Sequence, residues 1–210
     1  MRVIVFGATG GLGSASVQKA LVAGHRVTAF ARNPDKVRVR HDRLEIEKGD
    51  VLDREAVGRA LREHDAVLSA LGPSAGTRAG TLISTGASAI IEGMKSAGVR
   101  RLVFASGLMV GRAAGMGFFK RRLIGFFRLM NHALYVDKVR AEASVRTSGL
   151  DWIIVRPPVL ADLPPRGGYR VGPDLDVRLM DKLAFADVAD YMVRGLTEDE
   201  FLRREVELSY

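Results

Sequence analysis

Val3-Ile4-Val5-Phe6 is an unbroken apolar run, which predicts a strand buried on both faces, as in a parallel sheet. Helical spacing follows it, with Val17, Ala20 and Leu21 on one side of a stretch reaching about Ala23. The same alternation continues down the chain. Further strands are predicted at Arg26 to Phe30, Leu44 to Ile46, Ala66 to Leu71, Leu102 to Ala105, Asp151 to Val155 and Val206 to Leu208, with a short one near Tyr169 to Val171. Between them, Asp53 reads as the N-cap of a helix to about Glu63. Other helices are predicted from about Thr81 to Ala97, from Tyr135 to Ser148 with Gly149 as its stop, and from a cap at Asp187 to about Leu196. Strands alternating with helices throughout predict an α/β fold with a parallel, doubly wound sheet. No linker or repeat interrupts the pattern. Residues 1–210 therefore read as one domain, with a substrate-binding part built from about 107–135 and 157–185.

One stretch departs from the pattern. From Phe118 to His132, Phe119, Leu123, Phe126, Phe127 and Met130 share one helical face, while Lys120, Arg121 and Arg128 lie towards the others. This is a basic amphipathic helix. Core or lid packing is the ordinary use of such a stripe. A substrate pocket, a subunit interface or peripheral membrane contact are the alternatives.

Composition narrows the class. The 210 residues are 47% hydrophobic and 27% charged, as in a globular protein, and there is no cysteine for disulfide or thiolate chemistry. The net charge is +8, but the arginines are scattered rather than confined to one segment, so a nucleic-acid partner is not expected. His25, His41, His64 and His132 lack metal-ligand spacing, and no metal site is expected. No apolar run is long enough to span a bilayer, and the chain opens on a strand rather than a leader. A cytoplasmic location is the expectation.

The candidate chemistry starts behind the first strand, at Gly7-Ala8-Thr9-Gly10-Gly11-Leu12-Gly13. Strand, tight glycine turn and helix together make a phosphate cradle. Gly7 permits the sharp turn, Gly10 leaves room for a pyrophosphate, and Gly13 lets the helix pack on the strand. Unpaired N–H groups at the helix start face the negative charge. The spacing is G-x-x-G-x-x-G rather than G-x-G-x-x-G, so the general dinucleotide fingerprint fits imperfectly. After the second strand, an acidic residue would hold the ribose 2′-OH of NAD. Arg32 stands there instead, nineteen residues past Gly13, and a guanidinium grips a 2′-phosphate. NADP(H) is therefore expected over NAD(H). Asp50 and Val51 stand where a loop can reach adenine, although Asp50 serves equally well to close a turn.

GATGGLG, Arg32, GDVLD, the strand end at Ser106-Gly107 and SGLDWIIVRPP from Ser148 to Pro158 together resemble the atypical short-chain dehydrogenase/reductase group. More narrowly they resemble its NmrA-like, NAD(P)H-binding branch, and the tail from GGYRV through DVADYMVRGLTEDEF is similar to the biliverdin and flavin reductases. The resemblance implies a Rossmann-like fold in which Gly7, Thr9, Gly10, Gly11, Leu12 and Gly13 hold the pyrophosphate and Arg32 the 2′-phosphate. It puts Asp50 and Val51 at adenine, Leu71 and Gly72 along the ribose, Ser106 beside the nicotinamide, and Pro157, Pro158 and Val159 over its carboxamide.

The departures carry as much information. None of the four tyrosines has lysine four residues on, as the group's Tyr-x-x-x-Lys requires. Tyr135 has Lys138 at three, still one helical face, so a distorted pair is the nearest equivalent. Two functions follow. One is an NADPH-dependent reductase passing hydride to a flavin-like, quinone-like or tetrapyrrole acceptor, with Ser106, Lys138 and Tyr135 as catalytic candidates and Met109, Phe118 and Phe119 as pocket walls. The other is a non-catalytic NADP(H) sensor that acts through a protein partner. Neither the acceptor nor the oligomeric state is specified by the sequence.

Overall fold

A computed structural model describes residues 1–73, 80–111, 116–178 and 182–210. Its centre is an eight-stranded sheet: β1 (Arg2–Phe6), β2 (Arg26–Ala31), β3 (Leu44–Lys48), β4 (Ala66–Ser69), β5 (Arg101–Ala105), β6 (Asp151–Arg156), β8 (Arg170–Gly172) and β10 (Arg204–Ser209). The strand order is β3-β2-β1-β4-β5-β6-β10-β8. Every pairing is parallel except β10 with β8, so the predicted parallel sheet carries one antiparallel edge strand. A separate parallel pair joins β7 (Leu160–Ala161) to β9 (Leu183–Ala184).

The unbroken apolar strands are buried on both faces because helices cover both. In β1, Val3 and Val5 face one core with residues of α1 (Gly11–Val22) and α6 (Phe185–Arg194). Ile4 and Phe6 face the other, with α2 (Arg54–Ala60), α3 (Leu82–Ala97) and α5 (His132–Arg146). β3 reads differently, with Ile46 half-exposed, because it is an edge. The order of the sheet reverses at β1, between β2 and β4. That leaves a crevice beyond the carboxyl ends of the strands, where open α/β sheets bind ligands.

Several boundaries differ from expectation for physical reasons. Asp53 does cap α2, accepting from Glu55 N (3.0 Å) and Ala56 N (3.1 Å), but the helix stops at Ala60, and Glu63 turns with φ +68°. β4 ends at Ser69. α5 begins earlier than predicted, separated by Asn131 alone from α4 (Phe118–Met130). Asp187 is not a helix cap. β9 runs straight into α6 with Ala184 at the cap position, and Asp187 lies buried in the first turn. Its carboxylate accepts from Arg166 N (2.9 Å), Gly167 N (3.1 Å) and the Tyr210 hydroxyl (2.6 Å), which fastens a loop and the last residue to the helix.

Core or lid packing, the ordinary use of an apolar stripe, does not describe most of α4. Only Ile124 of the helix is buried, in a small cluster with Leu108, Met116 and Val177. Among the described residues no helix is long and apolar enough to cross a membrane.

Candidate functional site

The glycine turn is a cradle built by backbone packing. Gly7 has φ +80°, and a Cβ there would lie 2.5 Å from the Ala70 carbonyl oxygen of the neighbouring strand end. A Cβ on Gly13 would collide with the Gly7 carbonyl, so α1 can approach β1 only with glycine in its first turn. Gly11 is closed off by the Phe185 ring at the start of α6, a contact between segments far apart in sequence. Gly10 is different. A Cβ there would meet only the Gly7 carbonyl oxygen, at 3.5 Å, and Gly10 caps α1 without any side-chain hydrogen bond to the first turn. The N–H groups of that turn therefore remain available to an anion.

A cavity of about 440 Å³ opens over this turn. Gly7, Thr9, Gly10, Gly11 and Leu12 form its floor, while Val51, Leu71 and Gly72 line another side. Arg32 and Lys36 stand at its wall, both exposed. Asn33 explains Lys36: its side chain accepts from Asp35 N (3.2 Å), opening a 3₁₀ turn that brings Lys36 back beside Arg32. The sequence reading left Lys36 without a role, although its place four residues after Arg32 across an Asn-Pro turn was a usable signal. Phe30 also lines the cavity, and its ring leaves no room for a Cβ on Gly49.

Two expected cofactor residues are placed elsewhere. Gly13 packs the helix and does not line the cavity. Asp50 does not line it either. Its carboxylate accepts from Leu52 N (3.0 Å), which is the turn-closing use of this residue type.

A second, wider cavity of about 670 Å³ shares Pro73 with the first. Ser106, Gly107, Leu108 and Met109 line it from the end of β5, and Pro157, Pro158 and Val159 from the end of β6. Ile124, Phe127, Asn131, Leu134 and Lys138 close it from α4 and α5. Phe118 and Phe119 are not its walls: they point outward, and the helix gives the cavity the buried Ile124 and the half-exposed Phe127 instead. The expected loop from Ser74 to Gly76 lies outside the described residues, as does part of the glycine-rich segment after Gly107.

The polar groups of this cavity are few and specific. The Ser106 hydroxyl is buried and has no hydrogen-bond partner among the described residues. Lys138 Nζ donates to the Ser106 carbonyl oxygen (2.6 Å). Burial of its ammonium, only partly offset by Glu142 and Asp137, pushes the Lys138 pKa down from 10.5 to about 8. Both carboxylates are committed elsewhere. Asp137 caps α3, accepting from Ile83 N (2.9 Å) and Ser84 N (2.9 Å), and so fixes the turn of α5 that aims Lys138 at Ser106. Glu142, fully buried, takes Arg156 through two bonds (3.0 and 2.6 Å) and Arg146 through one (2.5 Å). Tyr135 does not complete a distorted pair with Lys138. Its ring lies under the Arg128 guanidinium, 5.3 Å from it, and it does not line the cavity.

The first cavity, with unpaired N–H groups over its glycine turn and two cations at its wall, fits the phosphates of a dinucleotide. The sequence profile of the NAD(P)H-binding family matches residues 7–199. The chain belongs to that family. This NAD(P)H-binding protein has the doubly wound fold of the atypical short-chain dehydrogenases/reductases, and its sequence contains no Tyr-x-x-x-Lys pair. An uncharacterised chloroplast protein of Arabidopsis thaliana is 28% identical to it over 99% of this chain and 76% of the relative. A (4-alkanoyl-5-oxo-2,5-dihydrofuran-3-yl)methyl phosphate reductase of Streptomyces griseus is 30% identical over 74% of this chain, a match spanning 46% of that enzyme. The solved structure of an anaerobilin reductase from Escherichia coli O157:H7 shares the fold with a TM-score of 0.80, at 21% identity over all of this chain and 97% of the other.

Proposed function

We propose that this protein is an NADPH-dependent reductase that passes hydride to a flat, conjugated acceptor of flavin, quinone or tetrapyrrole type. The observation that carries the reading is the pair Ser106 and Lys138. Both line a mostly apolar cavity that shares Pro73 with the dinucleotide cavity, where Asn131 is the other polar side chain among the described residues. The fold shared with an anaerobilin reductase supports the same reading.

Arg32 and Lys36 favour a 2′-phosphate over a bare ribose hydroxyl, because two cations beside one cavity leave an uncompensated positive charge when the phosphate is missing. Bound NADPH supplies the hydride. A two-electron reduction takes one proton as well. The Lys138 ammonium holds one in the acceptor cavity, and burial brings its pKa near the working range of a general acid. The Ser106 hydroxyl, with no competing partner among the described residues, is free to orient the nicotinamide amide or the acceptor. Met109, Ile124 and Phe127 exclude water and offer an apolar surface to a planar ring. Proximity and orientation then supply most of the rate.

The test is NADPH consumption with FMN, a simple quinone and biliverdin offered separately, each against a protein-free blank. Turnover with one of them above blank is expected. Tight NADPH binding with no turnover on any acceptor would contradict the reading and favour a sensor acting through a protein partner.

A further inference from the structure

We propose that the outward face of α4 docks on a lipid surface bearing anionic headgroups. The helix is turned inside out relative to an ordinary surface helix. Its outward arc carries Phe118, Phe119, Leu123, Phe126, Leu129 and Met130, with Phe119 89% and Leu129 74% exposed. Two of its four cations point the other way. Lys120 pairs with Asp176 (2.5 Å), and Arg128 donates to the carbonyl oxygens of Met109 (2.7 Å) and Gly111 (2.5 Å). Those bonds fix the helix with its aromatic side out. An apolar stripe of this size on a protein surface marks a contact site.

Charge decides what covers it. The helix has no acidic residue. Arg121 and Arg122 are exposed and have no carboxylate partner among the described residues; Arg122 lies over the Phe118 ring, 5.6 Å from its centroid. A second copy meeting this face about a two-fold axis would set these arginines against their own equivalents. Anionic lipid accepts both features: the aromatic arc enters the headgroup boundary, and the arginines extend to the phosphates. The flank of the same helix supplies Ile124 and the half-exposed Phe127 to the acceptor cavity, so docking would set that cavity beside the lipid. The docking rests on α4 alone and stands whichever acceptor is reduced.

The experiment is vesicle flotation of the whole chain at low ionic strength, with phosphatidylcholine alone or mixed with phosphatidylglycerol. Sedimentation velocity of the free protein runs beside it. The mixed vesicles should carry the protein and the neutral ones much less. Phe119→Ser with Phe126→Ser should abolish flotation while thermal midpoint and NADPH binding stay unchanged, since neither side chain is buried. Arg121→Gln with Arg122→Gln should weaken it about thirtyfold. No flotation on mixed vesicles, or flotation indifferent to the Phe variant, would overturn the proposal. A dimer abolished by Phe119→Ser in the absence of flotation would overturn it in favour of a second copy.

Discussion

The two cavities share Pro73 but are made of different material. The dinucleotide cavity has a floor of backbone: a glycine turn wedged between β1, α1 and the end of β4, where Cβ atoms added to Gly7 or Gly13 strike main chain. The acceptor cavity is made of side chains from two strand ends and two helices, and the segment behind it is held by ions. Glu142, Arg146, Arg156 and Glu205 form a connected set of ion pairs beneath the β6 end that leads into Pro157 and Pro158. Backbone requirements are local and tolerate few residue types. A side-chain cavity depends on partners far away in sequence and can take many forms.

Separate injuries to the two halves should have separate signatures. Glu142→Ala should have the largest effect, because it leaves Arg156 buried without its principal partner; a loss of about 3–5 kcal/mol is expected in denaturant unfolding. Below the new midpoint that variant should still bind NADPH while acceptor turnover falls. Gly13→Ala should do the reverse. Its Cβ strikes the Gly7 carbonyl, and a cost of about 3 kcal/mol or more should come with loss of NADPH binding by titration.

Smaller changes sharpen the contrast. Arg32→Ala should lower the preference for NADPH over NADH by roughly ten- to a hundredfold, with NADH affinity nearly unchanged. Lys138→Met tests the acceptor half. Burial favours the neutral amine, so the ammonium exists below about pH 8 and is lost above it. Turnover of the unaltered protein should fall as pH rises through that value. In Lys138→Met it should be lower, by on the order of tenfold to a hundredfold, and flat across the same range. Asp50→Ala should change NADPH affinity by less than about twofold, since its carboxylate serves a turn outside the cavity.

The same division explains what the sequence could reveal. Gly7 and Gly13 were legible because a positive φ and a close approach to the Gly7 carbonyl are demands of the turn itself, and the strands because burial on both faces leaves an unbroken apolar run. The place of Arg32 at the wall of the first cavity was legible from its distance behind the turn; Lys36, at the same wall, was not. Asp187 misled because a carboxylate in a first helical turn looks like a cap, whereas its partners come from Arg166, Gly167 and Tyr210. The period of α4 showed an apolar stripe but not its direction. That was set by Asp176 and by the carbonyls of Met109 and Gly111, none of them in the helix. Lys138 could be paired with Tyr135 by spacing, yet α5 presents the lysine to Ser106 and leaves the tyrosine beneath Arg128.

The measurement that bears most directly on the junction between the halves is Ser106→Ala, with kcat on the accepted substrate and the NADPH Kd determined side by side. The hydroxyl is buried, small and without a partner among the described residues, so its removal disturbs little else. A fall in kcat of about tenfold with the NADPH Kd changed less than about twofold is the predicted result. An unchanged kcat, or a loss of both quantities together, would contradict the placement of the reacting centre at Ser106.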